Sequence, residues 1–80
     1  MVKKINEDYK TTDLSLVAVV QLYGFNIEEI DRSDPRRIIF VIDRSDELDN
    51  LVQAFWSRSL RVDPLAYFES IKVVKSRIYQ

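Results

Sequence analysis

The sequence predicts an α+β domain in which helices pack on a small, mostly antiparallel sheet. Three observations predict it: five consecutive apolar β-formers at residues 38–42, helical spacing of apolar residues at 48–56 and 65–78, and capping residues before each helix. The predicted order is strand, helix, strand, strand, helix, helix. Because 80 residues leave no room for a second domain, we expect residues 1–80 to form a single unit.

The first part of the chain predicts a short strand followed by a buried helix. The strand is expected at residues 5–10, and residues 11–13 then offer side-chain oxygens that can accept hydrogen bonds from the first N–H groups of a helix. The helix is expected at 14–23, where Gly24 can end it as the C′ residue. Three valines also permit a strand in this segment, but the residues at its two ends favour a helix.

A hairpin is predicted next. Residues 25–30 alternate imperfectly between apolar and polar, residues 31–35 are typical of a turn, and residues 36–42 form the strongest strand in the chain. The expected loop is about five residues long, judged from the turn signal. Because the last strand is apolar on both faces, it should be the central one, covered on both sides by the three helices or on one side by a second copy of the chain.

Two amphipathic helices are predicted to complete the fold. Ser45 is the expected N-cap of the first, whose buried residues at i, i+3, i+4, i+7 and i+8 are Leu48, Leu51, Val52, Phe55 and Trp56. A connector at 57–62 leads to Asp63 and Pro64, a typical N-cap and N1 pair. The buried stripe predicted for the last helix consists of Leu65, Phe68, Ile71, Val74 and Ile78.

Composition argues against most catalytic chemistries. Cys and His are both absent, which excludes disulfides, Cys/His metal sites and Cys–His or Ser–His nucleophilic catalysis. Paired carboxylates at 31 and 34, and at 43, 46 and 47, could in principle hold Mg²⁺, but turns and helix caps favour acids at the same positions. The Asp-Arg-Ser-Asp sequence that occurs at 31–34 and again at 43–46 has the same local explanation. We therefore expect no enzyme activity, no cofactor and no metal ligand.

Charge is unevenly distributed, although the chain as a whole carries only −1. Residues 1–10 carry a net +1, residues 11–57 carry −5, and residues 58–80 carry +3. A dedicated duplex-binding domain usually has an overall basic excess, which is missing here. The basic C-terminal quarter is either ordinary surface scatter or a patch that binds phosphate or an acidic partner.

Aromatic residues next to basic residues are the best binding signal in the sequence. Trp56 stands close to two arginines, and this set could stack a base and hold its phosphate. The alternative is that the aromatic rings belong to the core and the arginines extend from its rim. The candidate binding residues are Arg36, Arg37, Trp56, Arg58, Arg61, Lys72 and Lys75.

Five short motifs resemble those of a small family of domains of unknown function found in bacteria, phages and other mobile elements. They are Thr11-Thr12-Asp13-Leu14, Asp34-Pro35-Arg36-Arg37, Ala54-Phe55-Trp56, Arg61-Val62-Asp63-Pro64 and Lys75-Ser76-Arg77-Ile78-Tyr79. The resemblance covers roughly residues 9–79 and implies a genomic setting. It carries no catalytic or binding residue with it, because the family has no established activity.

Three functions remain open. The first is a non-enzymatic interaction protein that acts through a protein partner or as a homodimer, since a chain this short buries only about 60–65% of its unfolded surface. The second is nucleic-acid binding through the candidate residues above, and the third is a dimer that sequesters a nucleotide. No segment reaches the roughly 18 apolar residues that span a bilayer, and the lysines near the start precede no signal-peptide core, so we expect a cytoplasmic protein without membrane contact.

Overall fold

Three strands and three helices follow one another in the predicted order in the computed structural model, which describes residues 4–79 and side chains from residue 7 to residue 79. The elements are β1 (Lys4–Thr11), α1 (Leu14–Leu22), β2 (Ile27–Asp34), β3 (Arg37–Ser45), α2 (Asp46–Trp56) and α3 (Pro64–Ile78). The α+β class is confirmed. Residues 1–3, part of the segment judged for a signal peptide, lie outside the described residues.

Both ends of α1 form as predicted, through a side-chain cap at the start and a glycine turn at the end. The carboxylate of Asp13 accepts hydrogen bonds from the backbone N–H groups of Ser15 and Leu16. At the other end, Gly24 has a φ of +85°, and the N–H of Phe25 donates to the carbonyl of Val20. This is the Schellman arrangement, in which a left-handed residue lets the chain leave the helix while its last carbonyls stay bonded.

The sheet has the strand order β1-β3-β2, and β3 pairs antiparallel with both neighbours. The prediction that β3 is central is confirmed. The register shifts between Ile27 and Glu29 and again between Asp31 and Asp34, so β2 contains two bulges or irregularities.

The hairpin differs from its prediction in both length and loop. β2 begins two residues later than expected and continues to Asp34, which leaves only Pro35 and Arg36 between the strands. The expected turn at 31–35 is mostly strand, because Asp31 pairs with Ile39 and Asp34 pairs with Arg37. Cross-strand pairing therefore overrides the turn signal of these polar residues.

The helices pack on one face of the sheet. Phe40 and Ile42 of β3 point into a core that also contains Leu16 and Val20 of α1 and Leu48 of α2. Successive side chains of a strand alternate between faces, so the other face, called here the open face, carries Lys10, Arg37, Ile39, Val41 and Asp43. Val41 is only 5% exposed there, between its partners Lys10 and Glu29. Among residues 4–79 the helices thus cover one face, not both.

The buried side of α3 is rotated away from the predicted stripe. Val74 is fully buried, but Leu65 and Phe68 are 68% and 54% exposed. The hydroxyl of the buried Ser70 donates to the carbonyl of Ala18 at 2.6 Å, which holds α3 close against α1. The prediction of a buried Leu65 and Phe68 is therefore wrong, because a polar contact and a small side chain set the rotation of the helix.

The end of α2 also departs from its prediction. The helical spacing predicts Trp56 on the buried side, but its side chain is 60% exposed. Its neighbour Phe55 does pack against the core. Within residues 4–79, no helix combines the length and the hydropathy that a membrane span requires.

Candidate binding surface

The connector between α2 and α3 begins with an unusual backbone conformation. Arg58 has a φ of +60° and occupies the C′ position after α2. Its N–H donates to the carbonyl of Phe55, and the N–H of Ser59 donates to the carbonyl of Ala54. This is a second Schellman ending, but with arginine where glycine is the usual residue. The geometry fixes the direction in which the chain leaves α2.

Two adjoining depressions, called here the connector clefts, lie between α1, the connector and α3. The first has a volume of about 250 Å³ and is lined by Val19, Phe55, Arg58, Leu60, Val62 and Tyr67. The second has a volume of about 260 Å³ and is lined by Leu22, Tyr23, Arg61, Val62, Asp63 and Ala66. The two clefts share Val62. Each combines a mainly apolar lining with one arginine.

The charged groups of the clefts differ in how they are held. Arg58 and Arg61 are exposed, and neither guanidinium makes an ion pair or hydrogen bond with the side chains of residues 7–79. The carboxylate of Asp63, in contrast, accepts a 2.7 Å hydrogen bond from the N–H of Ala66 as the N-cap of α3. The cleft arginines are therefore available to an external anion.

Tyr67 forms one wall of the first cleft. Its hydroxyl donates to the carbonyl of Ser15 at 3.1 Å, which orients the ring. Burial, reinforced by the nearby carboxylate of Asp13, raises the pKa of Tyr67 above its ordinary value. The phenol therefore stays neutral at physiological pH and acts as a hydrogen-bond donor.

Trp56 contacts Phe55, a residue that lines the first cleft. The rings of Phe55 and Trp56 meet edge to face, with centroids 5.0 Å apart. Because Phe55 lines the cleft, Trp56 is placed to report on its occupancy. Of the predicted residues, Arg58 and Arg61 line the two clefts, whereas Trp56 lines neither and contacts Phe55 of the first cleft.

The second surface is the outer face of α3, defined here by Leu65, Phe68, Lys72, Lys75 and Tyr79. These residues follow a 3–4 spacing. Leu65, Phe68 and Lys72 lie on the side of the helix away from Val74, Lys75 lies at the border of that side, and Tyr79 is the C-cap that follows the helix. Tyr79 is 83% exposed, and the Lys72 ammonium stands 4.7 Å from the centroid of the Phe68 ring. Lys72 also lies 3.8 Å from the carboxylate of Glu69. The face is apolar at both ends and basic in the middle.

The two remaining predicted residues lie elsewhere. Arg36 is exposed in the hairpin loop, where its N–H donates to the carboxylate of Asp34. Arg37 lines a depression of about 400 Å³ on the open face, together with Lys10, Thr11, Thr12 and Ile39. The open face and the helices lie on opposite sides of the sheet. The structure therefore does not bring Arg37 to the side of the sheet where Arg58 and Arg61 lie.

The paired carboxylates serve local structure. Asp31 accepts from the N–H of Ser33 at 2.9 Å, and hydrogen bonds from the backbone and then the side chain of Ser33 lower the pKa of Asp31. The carboxylate oxygens of Asp8, Glu28 and Asp43 lie within 4.8 Å of one another on the sheet. They have the hard oxygen donors that Mg²⁺ or Ca²⁺ prefers. Exposed acids gather in this way without an ion, so the cluster alone does not define a metal centre.

Sequence reasoning missed several residues that build these surfaces. Val19, Leu60 and Tyr67 come from three separate parts of the chain, so only the fold shows that they line one cleft. The apolar pattern of α3 predicts Leu65 and Phe68 in the core. The helical spacing of 65, 68, 72, 75 and 79 was the available signal, but it is as typical of a buried stripe as of an exposed one.

The described residues form a small α+β domain. It has two adjoining, mainly apolar clefts, each with an arginine in its lining. Its last helix, α3, has a buried apolar side and an outer face with apolar residues at both ends. The chain belongs to a family described as a domain of unknown function, DUF5659, which matches residues 6–80. The resemblance to an uncharacterised domain family is thereby confirmed. No curated protein matches the chain. No solved structure matches it either.

Proposed function

We propose that this domain is a non-enzymatic binding protein that acts on a protein partner through the outer face of α3. One observation carries the proposal: Leu65, Phe68 and Tyr79 are 68%, 54% and 83% exposed on a helix whose opposite side already supplies the core. Leu65 and Phe68 are neighbours on this helix, and neighbouring exposed apolar groups mark protein-binding surfaces in soluble proteins.

The basic middle of this face favours an acidic partner. Lys72 and Lys75 lie between the apolar ends, so a partner segment with apolar anchors around central carboxylates would match it. If two copies docked through the outer face of α3, the lysines of each would lie close to those of the other. Charge therefore favours a different protein over a homodimer at this surface.

The test compares two variants of the face with a matched variant elsewhere. Phe68→Ser removes an apolar anchor, Lys72→Glu reverses a central charge, and Arg37→Glu reverses a charge on the open face. We expect a protein captured from lysate by the wild type and by Arg37→Glu to be lost with the other two. The captured protein, once purified, should bind in calorimetry with the same dependence.

Two results would count against the proposal. If nothing captured depends on Phe68 or Lys72, the outer face of α3 is not a docking surface for a protein in that lysate. If sedimentation of the purified chain shows self-association that Phe68→Ser abolishes, the occupant is a second copy, and the proposal of a different protein as the partner is wrong.

Nucleic-acid binding is the second candidate, favoured by an exposed Trp56 two residues before Arg58. The guanidinium of Arg58, like that of Arg61, has no partner among the side chains of residues 7–79. A base could stack on the indole while Arg58 or Arg61 holds a phosphate. This function requires affinity that falls steeply with salt concentration. If Trp56 fluorescence does not respond to single strands or duplexes at low salt, this candidate fails.

We also propose that the protein works in the cytoplasm of a bacterium, or of a host that carries a phage or mobile element. The family resemblance is the support for this setting. Fractionation of bacterial cells that express the tagged chain tests the location, and recovery in the membrane or secreted fraction would contradict it.

A further inference from the structure

The two connector clefts have two features in common. Each is a small, mainly apolar depression, and each has one exposed guanidinium at its edge, Arg58 for the first and Arg61 for the second. Neither guanidinium has an ion-pair partner among the side chains of residues 7–79. An occupant with apolar groups and negative charge matches these features. The match is strongest at Arg58, because the second cleft also contains the N-cap carboxylate of Asp63.

Arg58 stands where the backbone itself favours glycine. With a φ of +60°, a residue that has a Cβ is strained relative to glycine. Residue 58 contributes only its backbone N–H to the hydrogen bonds of this turn. The other bonds join Ser57 and Ser59 to the carbonyls of Gln53 and Ala54 and to each other, so the side chain of Arg58 makes none of them. Among the side chains of residues 7–79 the guanidinium has no partner, so contacts with these residues do not account for an arginine at this strained position beside an apolar cleft.

We propose that the connector clefts bind an acidic peptide segment, whose bulky apolar side chains enter the clefts while its carboxylates pair with Arg58 and Arg61. Pairing of a carboxylate with a guanidinium is the strong, directional contact of such a site. The site is separate from the outer face of α3, so this inference stands or falls without the proposed function.

The size and number of the clefts favour a peptide over a small molecule. Each volume, about 250 and 260 Å³, lies below the roughly 300 Å³ at which pockets for small ligands begin. A chain with apolar side chains at intervals can occupy both clefts, because they adjoin at Val62. A small carboxylate would fill one cleft and leave the second arginine without a partner.

The experiment uses a ¹⁵N-labelled full chain and the peptide acetyl-Glu-Phe-Glu-Phe-Glu-amide as the probe. Backbone resonances of the lining residues, such as Val19, Leu60, Val62 and Ala66, should shift on titration. Trp56, the only tryptophan in the chain, should change its fluorescence through its contact with Phe55. The matched peptide with Gln in place of Glu should bind at least tenfold more weakly, since a hydrogen bond to a charged group contributes about 1.5–3 kcal/mol.

Arg58→Gly is the decisive variant, because it removes the guanidinium and also relieves the backbone strain. It should stay folded and raise the Kd of the acidic peptide about tenfold or more. Arg37→Ala, on the open face, should leave the Kd unchanged. Phe68→Ser should leave it unchanged as well, so that loss of the α3 surface and loss of the clefts are distinguishable.

Several outcomes would overturn the inference. Equal affinity for the Glu and Gln peptides would show that the arginines do not select a charged ligand. Binding of 3-phenylpropionate as tight as that of the peptide would identify a small-carboxylate site. Displacement of the peptide by oligothymidylate would make the connector a nucleic-acid surface, and an unchanged Kd for Arg58→Gly would remove Arg58 from the site.

Discussion

Arg58 adopts a left-handed conformation that glycine adopts without strain. We expect Arg58→Gly to raise the free energy of unfolding by about 0.5–1 kcal/mol, because relief of the strain exceeds the extra backbone entropy of the unfolded glycine chain. Urea denaturation should show a higher midpoint with an unchanged slope.

Arg61→Gly is the matched control for this prediction. Among residues 4–79, Arg58 is the only non-glycine residue with a positive φ, so glycine at position 61 relieves no such strain. It should lower the free energy of unfolding by about 0.5–1 kcal/mol. If both glycine variants lose stability equally, Arg58 does not adopt a strained left-handed conformation.

Asp31 makes the stability of the hairpin dependent on pH. Hydrogen bonds from Ser33 lower the folded-state pKa of Asp31 below that of the unfolded chain. Its stabilising contribution is therefore complete above the unfolded pKa, roughly 3.9, and disappears as the pH falls through the folded pKa. Urea midpoints of the wild type and Asp31→Asn should differ at pH 7 and converge toward pH 3. A difference that is the same at both values would contradict this account.

At the scale of elements, two neighbouring valines test the rotation of α3 about its own axis. Val74 is fully buried, whereas Val73 is 46% exposed. Val74→Ala should cost about 2–3 kcal/mol, because it removes two buried methyl groups and leaves a cavity. Val73→Ala should change stability by less than about 0.5 kcal/mol. Thermal unfolding of the two variants compares them directly, and equal costs would mean that α3 is oriented differently.

The two faces of α3 also show where sequence reasoning works and where it stops. Asp63 and Pro64 mark the start of the helix correctly, because capping is decided within one turn. Its rotation depends on Ser70 meeting Ala18, a contact 52 residues apart in the chain. The 3–4 spacing of apolar residues fits both sides of this helix, so the pattern alone could not select the buried one.

The hairpin gives a second example. The polar residues around Asp31 have real turn chemistry, since Asp31 and Asp34 each accept a backbone hydrogen bond two residues ahead. Pairing with β3 nonetheless keeps them in the strand. Local signals thus identified the right chemistry but could not rank it against a partner strand.

At the scale of the whole molecule, one core connects all helices to the sheet. Leu16 and Val20 of α1, Phe40 and Ile42 of β3, and Val74 of α3 belong to the same buried cluster. We therefore expect a single cooperative unfolding transition. Far-ultraviolet circular dichroism and Trp56 fluorescence should give the same urea midpoint. Separate midpoints would show that α2, which carries Trp56, unfolds independently of the rest.

The two register shifts in β2 affect whether another molecule can add a strand to this edge of the sheet in concentrated solution. In the described chain β2 is an edge strand, and an edge with free N–H and C=O groups can recruit a strand from another molecule. Here the register shifts at Ile27–Glu29 and Asp31–Asp34 break the even spacing that such addition needs. Glu28 and Glu29 add negative charge to the same edge. Fibril growth along β2 is thereby disfavoured.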